Sequence, residues 1–399
     1  GCGDTCELGL PQEPFIVLRR SCASTTDTLF AVDSWEAAGQ WAEKLDSGPG
    51  TTGCAKLGFG PRTKGQPTSS SAQTASGLDF TITVEDEGLN DPEGLAESDV
   101  RSAVVTLPEG MTANPAVANG LAACSEAAFR ATGIQIDSHG CPAASKIGGV
   151  EVETPLLEGV LLRGEVYVAE QEANPFGSLL ALCMVIREPQ RGILIKLPGK
   201  VDTDPETGQL TTTFGLAPYE VPQFPFSEMR FHLRGGARAP LVTPPSCDGD
   251  PSVPGNQPHR IEVAFQPWAD PDATYTTEAS FAIDSGPGGG PCMAGPAPLD
   301  PGFQAGTVNN AATHYSPLNM RITRSDGEPE LTRFDAELPP GLAAKIAGIP
   351  RCPDSALAIA AGRSGRAELA EPSCPAESQI GRTLVGGGVG PELTYVPGR

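Results

Sequence analysis

The feature that most constrains this chain is its likeness to itself: motifs of its first half recur, in the same order, in its second. Cys22 matches Cys247 and Trp35 matches Trp268. Leu45-Asp46-Ser47-Gly48-Pro49-Gly50 matches Ile283-Asp284-Ser285-Gly286-Pro287-Gly288, after which Cys54 matches Cys292. Leu107-Pro108-Glu109-Gly110 matches Leu338-Pro339-Pro340-Gly341, and Cys124 matches Cys352. The longest match sets Cys141-Pro142-Ala143-Ala144-Ser145-Lys146-Ile147-Gly148 beside Cys374-Pro375-Ala376-Glu377-Ser378-Gln379-Ile380-Gly381. Co-linear matches at a nearly constant offset are the mark of a tandem array of one recurring unit. Residues 54–290 read as one complete repeat, with two β-sandwich subdomains at 54–160 and 161–290. Residues 1–53 read as the C-terminal part of a preceding repeat, and residues 291–399 as the N-terminal part of the next. The opening Gly1-Cys2-Gly3, without Met or signal peptide, reads as a processed or excised piece.

The repeat also orders the eleven cysteines. Those that recur together are assigned as four structural disulfides: Cys22–Cys54 with Cys247–Cys292, and Cys124–Cys141 with Cys352–Cys374. Cys183 lies in Leu179-Leu180-Ala181-Leu182-Cys183-Met184-Val185-Ile186, apolar throughout, and is expected to be a buried free thiol. Cys2 and Cys6 are left to bridge each other or a partner. No CxxC or zinc spacing occurs, so the cysteines fit an exported, disulfide-bearing protein. A net charge of −22 argues against nucleic acid and anionic membrane surfaces as partners. No run of eighteen apolar residues is present, so no membrane span is expected.

Short β-type runs dominate. They include Phe80–Val84, Ala103–Leu107, Val150–Glu153, Gly192–Leu197, Leu210–Phe214, Met229–Leu233 and Arg260–Phe265, several alternating apolar with polar residues. Asp204-Pro205-Glu206-Thr207-Gly208 and Ser325-Asp326-Gly327 supply hairpin chemistry. One helix per unit interrupts the strands, over Ser125–Ala131 and Pro353–Ala360, each behind a cysteine and ahead of a glycine, Gly133 or Gly362. The expected fold is mainly β: tandem Ig-like β-sandwich repeats with one short disulfide-anchored helix per repeat.

The chemistry-bearing residues are sparse. No G-x-S-x-G elbow, HExxH, Walker loop or dinucleotide fingerprint is present. Gly362-Arg363-Ser364-Gly365-Arg366 follows a predicted helix and reads as a loop, not a nucleophile. His139, His232, His259 and His314 have no histidine counterparts in the other copy, which argues against a shared catalytic base. Asp202-Thr203-Asp204-Pro205-Glu206-Thr207-Gly208 reads first as a hairpin turn, with a calcium loop as the alternative. Glu85-Asp86-Glu87 with Asp91 and Glu93 reads as a solvated loop. Trp35, Trp41 and Trp268 offer a sugar-stacking platform, but the equivalent places of Trp35 and Trp268 favour core aromatics.

Three further stretches complete a pattern: Leu-Pro-x-Gly with the cysteine-headed helix and Cys-Pro-x-x-Ser-x-Ile-Gly, then Asn174-Pro175-Phe176-Gly177-Ser178-Leu179-Leu180-Ala181-Leu182, then Asp204-Pro205-x-Thr207-Gly208-Gln209-Leu210-Thr211-Thr212-Thr213-Phe214. It resembles large, uncharacterised, secreted tandem-repeat surface proteins of high-GC Gram-positive soil bacteria. The resemblance covers all but residues 1–15 and implies an extracellular or cell-surface location and β-rich repeats, with no catalytic residues. Cys2, Cys6 and Cys183 depart from the pattern. The expectation is a non-enzymatic extracellular structural or adhesive protein, a surface stalk or filament subunit without a cofactor, assembling head to tail by strand complementation. Its partners would be its own copies or the cell envelope. The alternative is a secreted carbohydrate-binding or hydrolytic protein.

Overall fold

The computed structural model describes residues 17–85, 94–135, 140–157, 159–248, 257–293 and 298–398. Cys2, Cys6, His139, Asp86, Glu87, Asp91 and Glu93 lie outside the described residues. The fold is mainly β, built of antiparallel sheets and stapled by disulfides.

At its centre is one sheet of eleven strands. In spatial order these are β16 (Tyr275–Phe281), β15 (His259–Pro267), β6 (Val100–Thr106), β12 (Leu210–Phe214), β11 (Ile193–Thr203), β10 (Leu180–Glu188), β9 (Leu161–Val168), β8 (Lys146–Glu153), β13 (Glu228–Leu233), β5 (Leu78–Thr83) and β3 (Arg62–Pro67). Every neighbouring pair is antiparallel. The two edge strands lie side by side, and Thr63 Oγ1 sits 3.2 Å from Thr277 Oγ1. The sheet is thus nearly a closed barrel, which hides the open edges that an eleven-stranded sheet would otherwise expose.

This replaces the expected sandwiches. Strands β8 and β9 pair across residues 160 and 161, so the anticipated boundary falls inside a hairpin. The right-handed twist accumulated over so many strands curls one sheet until its edges meet, and no second sheet is needed to cover the apolar face. Strand β15 shows the pattern that drives this. Ile261, Val263 and Phe265 point inward and are buried, while Arg260 and Glu262 are exposed. The core also takes Leu78, Phe80, Val150, Leu162, Met184 and Phe281. A small sheet of β4 (Ala75–Ser76), β14 (Leu241–Val242) and β7 (Thr112–Ala113) joins the same core through Ala72, Met111 and Leu241.

Outside the barrel lies α1 (Glu126–Ala131), capped by Ser125, whose hydroxyl accepts from the Ala128 N–H at 3.2 Å. Phe129 carries it onto a second apolar cluster with Tyr167, Ala181, Cys183 and Val185. Strand β10 is therefore covered on both faces, the physical reason its sequence shows no alternation. Lys196 Nζ donates to the carbonyls of Arg130 at 2.7 Å and Thr132 at 3.1 Å, occupying the helix's C-terminal acceptors.

Three smaller hairpins flank the barrel. β1 (Thr25–Val32) pairs with β2 (Ala42–Pro49), β17 (Gly302–Thr307) with β18 (Leu318–Thr323), and β19 (Thr383–Gly387) with β20 (Thr394–Gly398). The first two repeat registers of the barrel. Thr26 opposes Gly48 as His259 opposes Phe281, both members of the pair displaced along the chain by the same amount. Gly302 opposes Thr323 as Arg62 opposes Thr83, again with one displacement for both. Gln73 and Thr313, matched in that second frame, both adopt positive φ, 43° and 72°. The C-terminal segment holds two helices, α2 (Asp354–Ala361) and α3 (Gly365–Ala370), where one was expected.

One sequence match is not kept in space. Ile283–Gly288 follows the last barrel strand and straps onto the loop after β3: Asp284 N–H donates to Ser70 O at 3.0 Å, and Ala72 N–H to Ser285 O at 2.8 Å. Its match, Leu45–Gly50, remains within the hairpin, Ser47 opposing Asp27 and Gly48 opposing Thr26. Among the described residues nothing stands beside it in the place of Ser70–Ala72, so its backbone groups pair with β1 instead.

Candidate functional site

The eight recurring cysteines form four bridges: Cys22–Cys54, Cys124–Cys141, Cys247–Cys292 and Cys352–Cys374. They close short or moderate loops, of 32, 17, 45 and 22 residues. Cys183 is free and buried beneath α1, and burial pushes its thiol up to about 12. Such a thiol stays protonated and unreactive at neutral pH.

The titratable candidates are engaged in structure. His232 pairs across strands with Asp79, both exposed. His314 contacts the Ala312 carbonyl at 3.1 Å. His259 stacks on Phe281 at 5.5 Å, and its Nε2 lies 3.3 Å from the Ser246 carbonyl and 3.8 Å from Asp248 Oδ2. Ser246 Oγ donates to that same Asp248 oxygen at 2.5 Å. Aspartate therefore stands between serine and histidine, whereas a nucleophilic triad needs the histidine between the other two. These groups border an open recess of about 700 Å³ together with Glu109, Glu206, Arg260 and Glu262.

The acidic loop beside that recess spends its carboxylate on itself. Asp204 Oδ1 accepts from Thr207 N–H at 2.8 Å, Thr207 Oγ1 at 2.9 Å and Glu206 N–H at 2.9 Å, and these bonds, led by the Thr207 N–H, hold its carboxyl below the usual range. Asp202 pairs with Lys200 at 2.7 Å. Residues 204–208 turn β11 into β12, with Gly208 at φ 71°. Among the described residues no group of three His, Cys, Asp or Glu side chains is arranged to hold a metal ion. Ser364 is a helix cap, its hydroxyl accepting from Ala367 N–H at 3.3 Å.

The tryptophans separate. Trp268 is half-buried, donates its indole N–H to Val221 O at 2.9 Å, and lies beneath the Arg101 guanidinium at 5.5 Å. Trp35, expected to be core by its equivalence to Trp268, is fully exposed. Trp41 is exposed nearby.

The surfaces that stand out are apolar. Phe30 and Val32 are 62% and 46% exposed, whereas their counterparts Val263 and Phe265 are buried. Leu318 and Met320 are exposed, whereas their counterparts Leu78 and Phe80 are buried. Around β17 and β18 the exposed side chains surround a cavity of about 650 Å³ lined by Leu299, Phe303, Met320, Leu331, Phe334 and Leu338. Scattered apolar residues on a surface are ordinary, but a contiguous apolar concavity marks a place where something packs. The signal for this site was present in the sequence: Leu318-Asn319-Met320-Arg321-Ile322-Thr323 parallels Leu78-Asp79-Phe80-Thr81-Ile82-Thr83.

The flanking segments touch the barrel at polar points and, where Gly387 and Gly388 lie close to Pro115 and Ala116, at apolar ones. Buried Arg20 pairs with Asp99 at 3.2 Å and donates to the Glu97 carbonyl at 2.8 Å. Arg366 pairs with Glu170 at 3.0 Å, Arg238 pairs with Glu392, and Gly327 N–H donates to Gln73 Oε1 at 2.8 Å. No helix of the described residues is long and apolar enough to cross a membrane. Comparison with protein-family models, curated proteins and solved structures gives no match.

Proposed function

We propose that this chain is a non-enzymatic, extracellular structural and adhesive repeat protein, a surface stalk or filament subunit that assembles head to tail by strand complementation. The recurring unit is read as residues 54–290, the span that holds the near-closed sheet, and the likeness to secreted actinobacterial tandem-repeat surface proteins is part of the same reading. The observation that carries it is the pairing of matched register with opposite burial: hairpins β1–β2 and β17–β18 repeat barrel registers while exposing the side chains that the barrel hides. Four disulfides agree with an oxidising compartment. Light scattering over a concentration series, with electron microscopy of the same samples, tests it. Linear particles that lengthen with concentration are expected, and a monodisperse monomer at high concentration overturns the reading.

A second reading, a secreted carbohydrate-binding protein, is favoured by one observation. Trp35 is fully exposed and Trp41 lies exposed close by in the chain, so two indole faces are open to stack on sugar rings. Glycan-array binding that is lost in Trp35→Ala and retained in Trp268→Ala would favour this second reading.

A further inference from the structure

Resting on that assembly reading, we infer that the cavity around β17 and β18 of one copy is filled by hairpin β1–β2 of a second copy, seated as β15–β16 sits against β3 and β5 inside the barrel. The barrel supplies the template. There, β16 closes beside β3 and Ile261 of β15 reaches across to Gly65: a Cβ placed on Gly65 would come within 2.8 Å of Ile261 Cδ1, and within 2.9 Å of the ring of Phe80, its paired residue on β5. Phe59 meets Phe265 edge-on at 6.4 Å.

The counterparts of these residues change together. In the frame that aligns Gly302 with Arg62, Gly65 is answered by Ala305, which carries the very Cβ that Gly65 lacks. In the frame that aligns Thr26 with His259, Ile261 is answered by Thr28, which has no δ carbon to meet it. Phe80 is answered by Met320, whose flexible chain yields where a ring does not. The aromatic pair Phe59 and Phe265 is answered by the smaller aliphatic pair Leu299 and Val32. A methyl gained on one surface is thus matched by the Cδ1 methyl lost on the other, the compensation that close-packed interiors require. Leu299 and Met320 line the cavity, while Phe30 and Val32 stand exposed.

Charge bears on which wall the hairpin meets. Residues 25–49 carry five carboxylates (Asp27, Asp33, Glu36, Glu43, Asp46) against Lys44, whereas residues 302–323 carry Arg321 and no carboxylate, and the cavity's other wall holds Glu337 and Asp335, the latter paired with Arg333 at 3.0 Å. In a chain of net charge −22, an acid-free hairpin is the natural seat for an acidic one. The left-handed backbone at Thr313, a β-branched residue, points the same way. At the matching Gln73 that turn is held by its N–H donating to Pro244 O at 3.1 Å and crossed by the strap Ile283–Gly288.

The test uses the full chain. One preparation carries Thr28→Cys and another Ala305→Cys; they are mixed under mild oxidation and mapped by non-reducing peptide mass spectrometry. A species of twice the monomer mass, linked between positions 28 and 305, is expected. In parallel, Phe30→Asp should weaken self-association at least tenfold in sedimentation while leaving the barrel's unfolding midpoint in place, because Phe30 is exposed in the single copy. If the chains associate undiminished by Phe30→Asp and the link is missing, the seam is wrong and the assembly reading stands. If the chain never associates, both fall. If a chain carrying both cysteines links at monomer mass, the occupant is its own hairpin and the second copy is overturned.

Discussion

Hairpins β15–β16 and β1–β2 have the same register and opposite fates. In the barrel, β15 lies between β16 and β6, and its inward residues belong to one buried cluster with Leu162, Val150 and Phe80. In the N-terminal segment, β1 has one partner strand and every residue is exposed. Pairing between two strands is local, set by turn length and alternation, and survives without a core. Burial is a property of the neighbours. The same contrast explains why Ile283–Gly288 leaves its hairpin for the loop at Ser70, whereas Leu45–Gly50 stays zipped.

That comparison can be broken by substitution, and the largest effect should come from the core itself. Phe265→Ala should cost about 3–5 kcal/mol in denaturant unfolding, because the ring is fully buried. Val32→Ala, measured where the chain is monomeric, should stay within about 0.5 kcal/mol. Comparable costs would mean that the flanking hairpin is packed after all. Removing the bridge beside α1 comes next. Cys124→Ala with Cys141→Ala opens a 17-residue loop and should lower barrel stability by about 3 kcal/mol. Loss of Cys352 and Cys374 should leave the barrel's midpoint within about 0.5 kcal/mol, since that bridge staples the C-terminal segment.

A smaller effect follows from Cys183. Its folded thiol is pushed from the ordinary 9.0 up to about 12, so its stabilising share is complete below pH 9 and is lost as pH rises, when only the unfolded chain ionises. From pH 9 to 10 the parent chain should lose up to about 1.4 kcal/mol more than Cys183→Ala. Equal slopes would place the thiol in water. The smallest pair sharpens the contrast between the tryptophans. Trp268→Phe forfeits the bond to Val221 and should cost about 1 kcal/mol, and Trp35→Phe should leave the unfolding curve unchanged.

Strand positions were the most legible part of the fold. The runs at Phe80, Ala103, Val150, Leu210, Met229 and Arg260 all lie in barrel strands, because alternation directly reports a sheet with one face buried. Strand β10 was harder, since α1 covers its outer face and erases the period. The hairpin at Asp204–Gly208 was legible from its turn chemistry, whereas Ser325-Asp326-Gly327 forms a turn after β18 with no strand to pair back among the described residues. The second C-terminal helix was missed because Ser364 resembled a loop serine when it is a cap. The apolar cavity went unseen for a different reason. Leu318, Met320 and Phe303 spell an ordinary strand face, and only coordinates tell whether anything covers it.

What the sequence determined by itself was local: which segments are strands, which turns join them, and which cysteines recur together. The tertiary structure alone decided that eleven strands share one curled sheet, not two packed ones, and which of two sequence-matched segments is buried. The reason is range. Alternation and turn chemistry act over a few residues, whereas closure of a sheet depends on twist summed over all its strands and on edges far apart in the chain, such as Thr63 and Thr277, arriving at the same place.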